Sequence, residues 1–175
     1  PLRSEVQHAV QKTGYKKPTP IQAEIIPHML DGRDVLAQSQ TGTGKTAAFT
    51  LPLLHLLNSR GGRPQSCRPR SLILVPTREL AAQVGDSVRT YGKGLPTRSA
   101  IIFGGVGINP QKQLLRQGVD IVIGTPGRLL DLVKRKAIDL TTLQTIVLDE
   151  ADEMLVMGFQ SDIEKILSLP TNSYN

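Results

Sequence analysis

Tryptophan is absent from this chain of 175 residues, and aromatic side chains make up only 3% of it. A row of exposed rings on which single-stranded bases stack is therefore not expected as its binding surface. One cysteine, Cys67, rules out an internal disulfide and any cysteine-based metal cluster, and fits a reducing, cytoplasmic setting. The three histidines, His8, His28 and His55, are too far apart in sequence for a ligand-spaced group and read as surface or packing residues. No apolar run approaches the roughly 20 residues needed to span a bilayer, so no membrane partner is expected. Internal repeats and low-complexity tracts are also missing. The chain opens on Pro1 with an amphipathic helical pattern instead of a signal sequence, and the lack of an initiator Met suggests an excised piece.

What is present is a hydrophobic content of 39%, enough for one core and little more, so residues 1–175 are expected to form one domain. The 21 Lys+Arg against 15 Asp+Glu give a net charge of +6, which suggests a polyanionic partner. With so few aromatics, any nucleic-acid contact should run through the backbone.

The most informative stretch is Gln38-Ser39-Gln40-Thr41-Gly42-Thr43-Gly44-Lys45-Thr46, between the apolar Val35-Leu36-Ala37 and a helix-like run from Ala47 to Leu57. Strand, glycine loop and helix form a cradle in which backbone N–H groups and the positive end of a helix meet phosphate oxygens. Lys45 would reach the β/γ-phosphates and Thr46 would hold Mg2+. The strict phosphate-loop pattern begins with a glycine where this chain has Ser39. A second, acidic half compensates: Asp149-Glu150 follows the strand-like Thr145-Ile146-Val147-Leu148. Adjacent acids at a strand end diverge and suit two jobs, Asp149 holding the metal and Glu150 positioning or deprotonating the attacking water. As isolated acids they would more often cap a helix.

Helical periodicity marks Leu2, Val6, Ala9 and Val10, and then Ile21, Ile25, Ile26, Met29 and Leu30; Pro52 is expected to kink the helix after the phosphate loop or to sit near a local break in it. The Gly/Pro/Arg segment 59–70 reads as a mobile exposed loop. Beyond it come unalternating apolar runs at Leu72–Val75, Ala100–Phe103, Ile121–Ile123 and Thr145–Leu148, separated by helical patterns at Glu79–Tyr91, Gln111–Gln117 and Leu129–Lys134, with Ala151–Met157 and Ile163–Leu167 following. This order implies an α/β fold with a mainly parallel sheet covered on both faces, and its ligands belong outside the carboxyl ends of the strands. Five distinctive turns fall at those ends: 38–46, 76–79, 104–105, 125–128 and 149–152.

Gly14-Tyr15, Pro18-Thr19-Pro20-Ile21-Gln22, Gln40 to Thr46, Pro76-Thr77-Arg78-Glu79-Leu80, Gly104-Gly105, Thr125-Pro126-Gly127-Arg128 and Asp149-Glu150-Ala151-Asp152, in this order, resemble the DEAD-box RNA helicases. The likeness covers essentially the whole chain, corresponds to the first of the family's two RecA-like domains, and looks closest to the bacterial RhlE group. It implies a RecA-like P-loop NTPase fold, a three-layer α/β/α sandwich with a mainly parallel sheet. It also implies ATP and Mg2+ as cofactors, RNA and a second RecA-like domain as partners, and ATP-driven remodelling of RNA. Departures are Ser39, where the family usually has Ala, and Val156, where it commonly has Asp. The family's Ser-Ala-Thr strand, beyond Asn175, normally lies between the phosphate-loop strand and the Asp149 strand.

By resemblance, Lys17, Thr19 and Gln22 join Gln40, Thr41, Gly42, Thr43, Gly44, Lys45 and Thr46 around the nucleotide, with Lys45, Asp149 and Glu150 catalytic. The Gln22 amide matches the N6 donor and N7 acceptor of adenine, so ATP is expected over GTP. Pro76, Thr77, Arg78, Gly104, Gly105, Thr125, Pro126, Gly127 and Arg128 would line the RNA backbone path. Read without the family, Arg78 and Arg128 are surface arginines that could pair with Glu79 or Asp131. A GTPase or a transporter ATPase would need a guanine-reading Asn-Lys-x-Asp or a Leu-Ser-Gly-Gly-Gln sequence, and neither occurs. A non-catalytic RNA-binding scaffold would not require Lys45, Thr46, Asp149 and Glu150 together.

Overall fold

A computed structural model of the chain describes residues 34–38, 50–51, 53–55, 57–58 and 62–169. The two helices expected before residue 33, the phosphate loop from 39 to 49 and Pro52 lie outside them. Five strands form one parallel sheet: β1 (Asp34–Gln38), β2 (Ser71–Leu74), β3 (Ser99–Ile102), β4 (Ile121–Gly124) and β5 (Thr145–Asp149). Their spatial order is β1-β5-β2-β4-β3. Helices α1 (Arg78–Tyr91), α2 (Asn109–Gln117) and α3 (Pro126–Lys134) follow β2, β3 and β4, while α4 (Ala151–Val156) and α5 (Gln160–Ser168) follow β5.

Alternate residues of each strand face opposite layers, which explains why both parities are apolar. Leu72, Leu74, Ile102, Val122, Ile146 and Leu148 pack with Leu115 of α2, Leu129 and Leu132 of α3, and Ile163, Ile166 and Leu167 of α5. Ile73, Ile121, Ile123 and Val147 meet Leu80, Ala81, Val84 and Val88 of α1 together with Leu53, Leu54 and Leu57 from the helical stretch around residues 50–58. The three-layer α/β/α sandwich expected from the sequence is thus in place.

Helix α1 starts where the Thr77 hydroxyl accepts the Leu80 N–H at 3.1 Å. Helix α3 starts at Pro126, a residue whose missing N–H costs nothing at the first helical position. Both starts lie directly after strands, which aims the amino ends of α1 and α3 at the same end of the sheet.

One expectation is corrected. Segment 59–70 is not a mobile loop over its described part, 62–70. Gln65 and Arg68 form a bridge, Cys67 donates its N–H to Leu115 O (2.8 Å) and accepts from Asp139 N (2.8 Å), and Pro69 is buried. Gly118, at φ +93°, lets Pro64 approach so closely that a Cβ there would lie 3.0 Å from the Pro64 carbonyl oxygen. Two arginines of the segment are engaged in structure: Arg70 makes a two-pronged contact with Asp120 (3.1 and 2.8 Å), and Arg68 lies 3.4 Å from Asp139. β1 and β5 are direct hydrogen-bonded neighbours from Asp34↔Thr145 to Gln38↔Asp149. An extended segment takes the parallel partner at hand because an unpaired backbone group inside a sheet is costly.

Candidate nucleic-acid interface and acidic turn

The acidic turn is built by the end of β5. Asp149, its last residue, is fully buried. Glu150 then enters the left-handed region at φ 56°, ψ 52° before α4 begins. That conformation costs a residue with a Cβ about 1 to 2 kcal/mol, and such strain is concentrated at functional sites. It lifts Glu150, which is partly exposed, out of the strand direction, so the adjacent carboxylates occupy different environments. One carboxylate oxygen of Asp152 is buried without a hydrogen-bond partner among the described residues.

Because Gln38 is in register with Asp149, the chain leaves β1 toward the phosphate loop immediately beside this acidic turn. Lys17, Thr19, Gln22 and Gln40 through Thr46 lie outside the described residues. The described residues contain no group of three or more His, Cys, Asp or Glu able to hold a metal. A buried carboxylate at a strand end is what Mg2+ uses when substrate phosphates and water complete its shell.

The other strand ends form a concave site of about 470 Å³. Pro76 and Arg78 enter it from the end of β2, Gly104 from β3, and Thr125, Gly127 and Arg128 from β4. Six of the nine residues assigned to an RNA path from sequence therefore line one pocket. The other three adjoin it: Thr77 caps α1, Pro126 opens α3, and Gly105 turns at φ +83° with its Cα hydrogen face toward Arg78. The backbone turn at Gly105 needs glycine, whereas a Cβ at Gly104 or Gly127 would meet open space.

The two arginines differ. Arg78 is exposed, and among the described residues its ion-pair partner is its neighbour Glu79, at 3.4 Å. Arg128 donates to Gln111 Oε1 (3.0 Å) and to Val106 O (2.9 Å). Asp131, the alternative partner for Arg128, pairs instead with Arg135 at 3.0 Å. Sequence reasoning missed Phe103, Asp131 and Phe159, which also line the pocket. The signal was available for one of them: Phe103 directly precedes the Gly104-Gly105 turn, one of the five at strand ends.

A family model described as DEAD/DEAH box helicase matches residues 19–174. The ATP-dependent RNA helicase DeaD of Escherichia coli (strain K12) is 50% identical over 168 residues, covering 95% of this chain and 26% of that protein. The DEAD-box ATP-dependent RNA helicase CshA of Bacillus anthracis is 47% identical over 167 residues, covering 95% of this chain and 31% of that one. A crystal structure of a hypothetical ATP-dependent RNA helicase from Sulfolobus tokodaii superposes with a TM-score of 0.68 at 37% identity, covering 98% of this chain and 48% of that chain. The chain thus spans about a quarter to a third of the length of these curated relatives. The names they carry are DeaD and CshA, and what this chain shares with them is the family. The RecA-like α/β fold follows from the sheet and this structural likeness together.

Proposed function

Because the chain belongs to the DEAD/DEAH box helicase family, we propose that it is the ATP-binding RecA-like domain of an ATP-dependent RNA helicase. Joined to a second RecA-like domain, it hydrolyses ATP to remodel or locally unwind RNA in the cytoplasm. Residues 1–175 act as one domain. The observation that carries this reading is convergence: the exit of β1, the acidic turn and the pocket all lie at the carboxyl end of one parallel sheet. Among the described residues no helix is long and apolar enough to cross a membrane.

Lys17, Thr19 and Gln22 bind the adenine end of ATP, and Gln40, Thr41, Gly42, Thr43, Gly44, Lys45 and Thr46 wrap its phosphates. Asp149 and Thr46 would hold Mg2+, which would supply positive charge against the phosphates. Glu150 orients the attacking water and accepts its proton. Its raised position relative to buried Asp149 supports that separation of roles. The pocket takes RNA by its backbone, through the Arg78 guanidinium and the polar turns at Gly104-Gly105 and Thr125–Arg128. Such contacts read no base sequence and weaken as salt rises.

The test is RNA affinity of the full-length protein against salt concentration. Arg78→Ala should reduce the slope of log affinity against log salt by about 1 and weaken all sequences equally. A salt-independent affinity, or an unchanged slope, rejects the backbone path.

A further inference from the structure

Gln111 lies outside the pocket, on α2, and is only 5% exposed. A buried amide is costly unless both ends are satisfied. Here both are: its Nε2 donates to Phe103 O at 3.0 Å, and its Oε1 accepts from Arg128 Nη1 at 3.0 Å. Arg128 Nη2 continues to Val106 O at 2.9 Å. The chain of bonds from Phe103 through Gln111 and Arg128 to Val106 closes on itself across the Gly104-Gly105 turn. The two partners also fix which way the amide points. Reversed, it would set an acceptor against a carbonyl and a donor against a guanidinium.

We infer that Gln111 is a positioning residue for the proposed RNA interface, locking the Arg128 guanidinium and the turn after β3 into one rigid wall without touching RNA itself. This rests on the reading of the pocket as the RNA path. Two of the five N–H donors of Arg128 are used in the lock, which leaves the rest of the fork to face a phosphate from a fixed base. Preorganisation of this kind raises affinity by removing the ordering cost from the binding step. It also explains why glutamine suits the position: leucine would satisfy neither end, and glutamate would oppose the Phe103 carbonyl.

The experiment is a double-mutant cycle in the full-length protein with Gln111→Met, Arg128→Ala and the pair. Binding of a labelled single-stranded oligouridylate is measured by anisotropy, and binding of a fluorescent ATP analogue serves as the control. Gln111→Met, which keeps volume and loses both bonds, should weaken RNA binding about three- to tenfold and leave nucleotide affinity unchanged. In the Arg128→Ala background it should add nothing, because the group it positions is gone. Gln111→Glu, which keeps the acceptor toward Arg128, should recover part of the loss. Equal losses in both backgrounds, or a parallel fall in nucleotide affinity, would show a merely structural role and overturn the inference. If Arg78→Ala weakens RNA binding and Gln111→Met does not, the interface stands and the role of Gln111 falls. A wild-type protein that does not bind the oligouridylate overturns both.

Discussion

Glu150 carries two properties in one residue, a carboxylate at the strand end and a left-handed backbone that glycine would adopt without strain. These are separable by substitution. Glu150→Gly should raise unfolding stability by about 0.5 to 1 kcal/mol and abolish ATP hydrolysis, while Glu150→Gln should leave stability near wild type and lower hydrolysis at least about 100-fold. Thermal unfolding and RNA-stimulated ATPase measured on the same three proteins check both halves. Unchanged ATPase in Glu150→Gln would favour a non-catalytic scaffold. At this scale residue types were legible and conformations were not. The acidic couplet could be read from its place after an apolar run, but the left-handed φ of Glu150 shows only in the folded turn that leads into α4. Likewise the different fates of Arg78 and Arg128 depend on Gln111, thirty-odd positions from one and seventeen from the other.

The elements repeat that contrast between local and distant causes. Unbroken apolar runs such as Ile121–Ile123 announced buried parallel strands because both faces of the sheet are covered. Segment 62–70 was misread because its order comes from bonds to Leu115, Asp120 and Asp139, all far away in sequence. Asp120 is the hub: 2% exposed, it accepts from Arg70 and from the Arg98 N–H (3.1 Å), tying the starts of β2, β3 and β4. Asp120→Ala should destabilise the domain by about 3 kcal/mol, read as a shift in the denaturant midpoint, because the part-buried Arg70 guanidinium loses its carboxylate and the Arg98 N–H loses its acceptor. Asp139 supplies a milder, pH-dependent term. Burial pushes its carboxyl up, but hydrogen bonds from the Thr141 hydroxyl and N–H, with Arg68 nearby, hold it below the usual value. A lowered folded value stabilises above the unfolded one and is lost as acid protonates the group, so its contribution should fade below about pH 4. Comparing acid unfolding of wild type with Asp139→Asn checks the sign: the variant should lack that part of the acid loss.

For the whole molecule, a parallel sheet puts all strand ends of one kind on one side, so the turns that bind and react share a rim. This was legible as topology before any distance was known. The direct pairing of β1 with β5 was not, because register belongs to the assembled sheet. We expect the 175-residue chain alone to bind ATP more tightly than GTP in competition titrations, with Lys45→Ala abolishing binding of either. We further expect negligible strand separation by it, since arginines from a partner domain typically contribute about 10³ to 10⁵ in rate. Robust unwinding by the isolated chain would contradict that division of labour.

Cys67 is the chain's one thiol, half-buried and pinned by its backbone at the foot of the sheet, away from the reactive rim. A dye coupled there by maleimide chemistry would need no engineered cysteine within these residues and would leave the rim untouched. With an acceptor dye on an oligonucleotide it becomes a molecular ruler, reporting in real time how nucleic acid approaches and departs.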